Sequence, residues 1–329
     1  MRLYDHIETF DRNAGGVSLA IGNFDGVHPG HVRIVREAVR EGAKRRIPAG
    51  VLTFQDHPKN ILAEKRVVDF ILSPRAKLER LRAQGIDFCI MAREKRGFWD
   101  QSPGDFIRSV LSDSLNARFI AVGKNFRFGK NASGRTGDLE RFSQGAFNVS
   151  VLPLVERDGE VLSSTRIRRS IEQGRFEEAN RLLNERIFFS ALAVPGKRIG
   201  RDLGFPTANL AFPEIENLET GVYAVRAWIE NRPRFGAANV GVSPSIGPEN
   251  AKGVEVHFPG FPDRDLYGTR ITLEFLEKLR EEKTFSTREA LSAQIRKDVE
   301  TVRRRWMASP GKLPWPLELP SNTVPPPRP

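Results

Sequence analysis

Between residue 17 and about residue 184, short apolar runs alternate with stretches whose apolar positions recur at helical spacing. VSLAIG, GVLTF, IDFCIM, RFIAVG and VSVLPLV read as buried strands. After the first of them, HVRIVREAVREGAKRR spaces Val32, Val35 and Val39 for one helical face. Ser73-Pro74 and Ser102-Pro103 each set a capping residue before a proline suited to the first helical position. Leu78 and Leu81 mark the buried side of the first helix, and Phe106, Ile107 and Val110 that of the second. Helices between strands imply a parallel sheet covered on both faces, a doubly wound α/β domain.

The pattern changes from about residue 187. IFFSALAV, GVYAVRAWIE, FGAANVG, GVEVHF and RITLEFLEKL are strand-like and separated by glycine and proline loops. Nothing helical is expected before Ser286, after which Leu291, Ile295, Val299 and Val302 fall on one stripe. Short strands with one terminal helix suggest a compact β-barrel. The segment from Trp306 is proline-rich and aperiodic, and reads as a disordered tail. The expected organisation is therefore an α/β domain over 1–184, a mainly β domain over 185–305 and a tail over 306–329.

A length of 329 residues agrees with two domains. No apolar run approaches the roughly 18 residues that span a bilayer, so no membrane role is expected. MRLYDHIETFDRN carries acids and lacks the apolar stretch of a secretory signal. The single cysteine, Cys89, lies in an apolar run and reads as a buried small hydrophobe, which suits a cytoplasmic location. The net charge of +11 fits nucleic acid or phosphorylated small molecules as partners. The basic residues are dispersed, with no aromatic-interleaved stripe and no zinc-finger or RNP pattern, so most read as a solvated surface rather than a nucleic-acid face. Nothing in the sequence specifies an oligomeric state.

IGNFDGVHPGH, residues 21–31, joins a strand to a helix. Gly22, Gly26 and Gly30 allow a tight turn and close approach of backbone to ligand. The helix start turns free amides and its positive dipole end back on the loop. His28 and His31, two of only five histidines, can face the same phosphate. In LSSTRIR, Ser164 or Thr165 can cap the next helix, with Arg168 one turn on, which makes a second anion site or a plain cap. Lys124, Asn125, Phe126 and Arg127 fall at the end of a strand, where open α/β sheets bind ligands. Phe126 and Phe128 suit core packing as well as ligand contact, and His57 a local hydrogen bond as well as substrate.

GNFDGVHPGH resembles the adenylyltransferase module of bacterial bifunctional riboflavin kinase/FAD synthetases, whose HxGH signature is that of the nucleotidyltransferase superfamily. VLTFQDHP is similar to that family's TFxPHP segment, with Asp56 in place of proline. VGKNFRFGKNASG and LSSTRIRRSIEQGRFEEANRLL resemble two further family stretches. The resemblance implies a Rossmann-like nucleotidyltransferase domain that adenylylates FMN with ATP. It implies that Gly22, Asn23, Phe24, Asp25, Gly26, Gly30, Lys124, Asn125, Ser164 and Thr165 bind ATP, that His28, His31 and Arg168 act on its phosphates, and that His57, Phe126 and Phe128 are flavin candidates. FMN brings an ionised phosphate as nucleophile, so alignment and charge stabilisation suffice without a general base.

GKRIGRDLGFPTANL, residues 196–210, resembles the riboflavin kinase signature GxxxGRxxGFPTAN, and GVYAV, NVGVSPSIG, VEVHFPGFPDRDLYG and LREEKTFSTREALSAQI continue the likeness. Ser243 and Ser245 depart from the family's residues. The resemblance implies a second, small β-barrel domain in which Gly196, Gly200, Arg201, Gly204 and Pro206 serve ATP. The Thr207 hydroxyl and the Asn209 amide oxygen are hard ligands suited to Mg²⁺. Glu255 matches the family's catalytic glutamate; strand alternation sets it opposite Val254 and Val256, a pattern that by itself favours a solvent-facing side chain, and only the resemblance points it into a cleft. The expected substrates are ATP, riboflavin and FMN, with FAD as product. Two alternatives stand beside this: a kinase whose adenylyltransferase is impaired by Asp56, and a basic nucleic-acid-associated protein on the same scaffold.

Overall fold

The computed structural model describes residues 1–65, 67–93, 96–196, 199–211, 217–230, 232–242 and 252–307. Ser243, Ser245 and all but the first two residues of the proline-rich tail lie outside them. Two compact units are formed, Met1–Arg166 with Leu182–Asn184, and Ile167–Arg181 with the chain from Glu185 onward.

In the first unit, strands β1 (Arg2–Tyr4), β2 (Val17–Ile21), β3 (Ala49–Phe54), β4 (Phe88–Ala92), β5 (Ala117–Gly123) and β6 (Asn148–Leu152) pair in the order β1-β4-β3-β2-β5-β6. Every neighbouring pair is parallel, as the alternation of strands and helices predicts. β2, β3 and β4 are buried along their whole lengths. Helix α1 (Pro29–Arg45) buries Ile34, Val35, Ala38 and Gly42 rather than a Val32–Val39 stripe. Small residues choose that face. A Cβ on Gly42 would lie 2.9 Å from Ala49 Cβ, and Ser18 Oγ donates to Ala38 O at 2.7 Å, so the helix rides close over the sheet. Helices α2 (Pro58–Ala63), α3 (Pro74–Arg82), α4 (Arg96–Trp99), α5 (Pro103–Asp105) and α6 (Thr136–Ser143) complete the layers, with a wider turn, Phe106–Ser114, continuing α5. Ser73 and Ser102 cap α3 and α5 as their Ser-Pro pairs predict.

A hairpin of β7 (Glu156–Arg157) and β8 (Glu160–Val161) precedes helix α7 (Ser164–Glu172), which runs from one unit into the other and is followed by α8 (Phe176–Leu183). In the second unit β9 (Phe189–Val194), β10 (Thr207–Ala211), β11 (Gly221–Ile229), β12 (Arg232–Val242), β13 (Lys252–His257) and β14 (Arg270–Arg280) close an antiparallel barrel in the order β10-β13-β12-β11-β14-β9. Alternation leaves Leu210, Tyr223, Val225, Ala238, Val240, Val254, Val256 and Leu273 fully buried on the inner face. Phe176 of α8 stacks on Phe275 at 4.9 Å. β10 arises from the TANLA segment, which is not among the strand-like runs read from the sequence, and a short helix α9 (Ile199–Asp202) precedes it. Helix α10 (Arg288–Val302), capped by Thr287, lies on the outer face. It buries Val299 and Val302, and Asp298 pairs with Arg280 of β14 through both carboxylate oxygens at 2.8–3.1 Å. Among the described residues no helix is long and apolar enough to cross a membrane.

Candidate active sites

The chain leaves β2 toward β3 and β4, then returns across β2 to β5, so the carboxyl ends of β2 and β5 flank the crevice where open α/β sheets take ligands. Residues 22–28 and 124–127 sit there. Phe24 and Val27 adopt φ of 49° and 45°, uncommon for residues with side chains and a sign of a tightly specified turn. Gly26 has φ 83°, a conformation that favours glycine, and a Cβ on it would also crowd Ile71 at 3.1 Å and Leu183 at 3.2 Å. Asp25 is buried; its Oδ1 accepts from Ile71 N at 3.1 Å and its backbone O from Ser164 Oγ at 2.9 Å. Asn23 O accepts from Thr53 Oγ1 at 3.0 Å.

The turn delivers His28 as N-cap of α1, with Pro29 following and no side-chain capping bond. The His28 and His31 rings stack with centroids 3.7 Å apart, and Phe24 packs edge-on against His31 at 5.3 Å. The Nδ1 atom of each is buried and has no hydrogen-bond partner among the described residues. Burial pushes His28 down to about 4. His31 is driven well below its usual value by burial and then by the charges of His28 and Lys77. Both imidazoles are therefore neutral at neutral pH, each with one N–H to donate. Neutral donors beside a helix N-terminus suit a phosphate oxygen.

Ser163, not Ser164 or Thr165, caps α7: Arg166 N donates to Ser163 Oγ at 3.2 Å. Ser164 turns instead to Asp25, which ties the LSSTRIR segment to the glycine loop, while Thr165 is exposed. Arg168 is half-buried on α7 and groups with the second unit. Lys124 and Asn125 are exposed after β5. Phe128 is buried in the core 5.5 Å from Phe106, and the half-buried Phe126 stacks on it at 5.4 Å. His57 caps α2, its Nδ1 accepting from Lys59 N at 3.2 Å.

In the barrel, Asn209 on β10 stands directly opposite Glu255 on β13, and Glu255 opposite Asn239 on β12. Directly opposed residues share a face, so these three side chains form a row on the outer wall, with Val254 and Val256 turned inward. Asn209 is buried and its Oδ1 has no hydrogen-bond partner among the described residues. A Cβ on Gly196 would lie 2.0 Å from Asn209 Nδ2, so the carboxamide packs against bare backbone. A Cβ on Gly200 would strike Phe205 O at 2.5 Å, and Gly204 holds φ 79°. His257 Nδ1 is 2.9 Å from Pro206 O, which fastens β13 to the loop before Thr207. Arg201 pairs with Asp263 at 2.8 Å and Asp265 at 3.1 Å. Arg201, Pro206, Thr207, Asn209 and Asp265 line one shallow cleft.

The FAD synthetase family matches residues 11–166 and the riboflavin kinase family residues 183–306. The chain is 30% identical to the bifunctional riboflavin kinase/FMN adenylyltransferase of Listeria monocytogenes, over 87% of this chain and 91% of that protein. It is 33% identical to the Escherichia coli K12 protein of the same name, over 88% of this chain and 92% of that one. This chain belongs to the bifunctional riboflavin kinase/FMN adenylyltransferase family. A solved structure from Streptococcus pneumoniae, described as a macrolide-efflux protein, covers 93% of this chain and 100% of its own at 27% identity, with a TM-score of 0.78.

Against that family background, three residues at the two sites escaped sequence reading. Lys77 was hidden by the helical period, since Leu78 and Leu81 look like the buried side of α3, yet Lys77 is 3% exposed and Leu78 only half-buried. Asn239 and His257 needed the strand register, which places them on the outer wall beside Glu255 and Thr207.

Proposed function

We propose that residues 185–305 transfer the γ-phosphate of ATP to riboflavin, and that residues 1–184 join the resulting FMN to the adenylyl group of a second ATP, releasing pyrophosphate. The observation that carries this reading is that the two units hold donor sets of opposite kind. The first offers buried neutral imidazoles at a helix start, and the second a carboxylate flanked by two carboxamides.

For adenylyl transfer the nucleophile is already ionised, and the chain has only to align and stabilise charge. His28 and His31 would donate to the ATP phosphates together with the amides at the start of α1. Gly22, Asn23, Phe24, Asp25 and Gly26 shape the loop around the nucleotide, with Gly30, Lys124, Asn125, Ser164, Thr165 and Arg168 contributing further contacts. His57 and Phe126 are the flavin candidates, and Phe128 supports Phe126 from the core. His28→Ala should abolish FAD formation from supplied FMN and leave FMN formation from riboflavin intact. Undiminished FAD output from the purified variant would remove this site.

For the kinase, the riboflavin hydroxyl is neutral and must lose a proton as it attacks. Glu255 takes that proton, held in register between Asn209 and Asn239. The open Oδ1 of Asn209 and the Thr207 hydroxyl on the same face fit Mg²⁺, a hard cation, alongside nucleotide oxygens. No group of three or more His, Cys, Asp or Glu among the described residues offers a rival metal cage. When bound, the ion would neutralise charge on the phosphates. Gly196, Gly200, Arg201, Gly204 and Pro206 form the loop over the cleft. Glu255→Gln should stop FMN synthesis while adenylylation of supplied FMN continues, and full kinase turnover in that variant would refute the assignment. One buried thiol, Cys89, and nucleotide substrates suit work in the cytosol.

A further inference from the structure

Lys77 is the one lysine among the described residues to be buried, and it sits beneath the glycine loop. Its Nζ donates to Phe54 O at 2.6 Å, to Asn23 O at 3.3 Å and to Thr53 Oγ1 at 3.4 Å. Those acceptors lie at the end of β3 and just beyond the end of β2, the two strands whose following turns carry His57 and His28. The charged and titratable groups facing it are Asp25 from the glycine loop, Asp56 from the turn after β3, Cys89 from β4 and His31 from α1. Burying an ammonium is costly, and an apolar side chain would fill the same space without that cost. Packing alone does not account for a lysine here.

We propose that Lys77 is a positioning residue for adenylyl transfer: its ammonium clamps the Asn23 and Phe54 carbonyls, and so fixes the histidine loop and sets a positive charge behind it. The inference rests on placing adenylylation at that loop. Its charge adds to the burial that keeps His31 neutral and able to donate to a phosphate oxygen. Burial pulls the Lys77 ammonium down to about 8, so it is charged at neutral pH and surrenders its proton in mildly alkaline solution. Cys89, pushed up to about 12 by burial, does not titrate in that window.

The test measures FAD synthesis from supplied FMN by the full-length protein, as kcat/KM for ATP against pH, in native, Lys77→Met, Lys77→Arg and His28→Ala proteins. The native profile should fall about tenfold per pH unit above about pH 8, because kcat/KM reports the free enzyme's ionisations. Lys77→Arg should keep activity and lose that alkaline limb, since a guanidinium does not deprotonate there. Lys77→Met should lose about 100-fold at pH 7.5 with unchanged melting and unchanged FMN synthesis from riboflavin. An alkaline limb identical in native and Lys77→Arg proteins overturns the proposal. So does Lys77→Met activity within about threefold of native, or activity lost only in step with folded structure. If His28→Ala retains FAD synthesis, the location of the adenylyl site itself fails; if His28→Ala is inactive and Lys77→Met is not, only the role of Lys77 fails.

Discussion

Replacing Gly196 by alanine isolates one contact of the cleft proposed for the kinase. The backbone there does not lie in the left-handed region, so alanine adds no torsional strain. The added methyl, however, would sit 2.0 Å from Asn209 Nδ2, 2.3 Å from Cγ and 2.6 Å from Oδ1. Carbon and nitrogen do not approach closer than about 3.4 Å without a bond, so the whole carboxamide must move by more than about 1 Å. A simple amide flip does not relieve this, because both terminal atoms clash. Displacement of that size at a site-forming group costs about 100-fold in rate. The swing of a side chain costs stability much less, at about 1 kcal/mol. Gly196→Ala should therefore lower riboflavin phosphorylation about 100-fold, raise the Mg²⁺ concentration needed for half-maximal rate, and leave FAD formation from FMN unchanged. Chromatography of FMN and FAD, with urea denaturation in parallel, reads all three. Kinase activity within about threefold of native would refute the argument that Asn209 needs its present place.

Other outcomes follow from the same physics. Because His28 is held at about 4 in the fold against an ordinary 6.5, the unfolded chain takes its proton first as pH falls. The stability present above pH 6.5 should be lost between there and about pH 4, by about 3 kcal/mol for this group. Urea midpoints across that range test it, and His28→Gln should flatten the dependence. Asp298→Ala strands the largely buried Arg280 guanidinium beneath α10 and should destabilise the barrel by about 3 kcal/mol, so that urea removes FMN synthesis before FAD synthesis.

Strand alternation, helix periodicity and two dense motifs were enough to place a parallel sheet before a β-barrel with a terminal helix, and to single out His28, His31, Thr207 and Asn209, whereas Glu255 stood out only through family resemblance. These features are local, or repeat with a fixed period, and so are written along the chain. The tertiary structure alone decided which of several plausible faces is buried. Gly42 and Ala38 draw α1 onto the sheet because small residues permit close approach, and no hydrophobicity count rewards them. TANLA is a strand because the barrel needs β10 between β13 and β9 to close its ladder of hydrogen bonds. Ser163 takes the cap that Ser164 leaves, since Ser164 is engaged by Asp25, 139 positions away in sequence. Lys77 is buried because a carbonyl from β3 and one from the turn after β2 meet it. Partnerships between distant segments depend on where the backbone folds back, and that is fixed by packing rather than by any residue's neighbours in sequence.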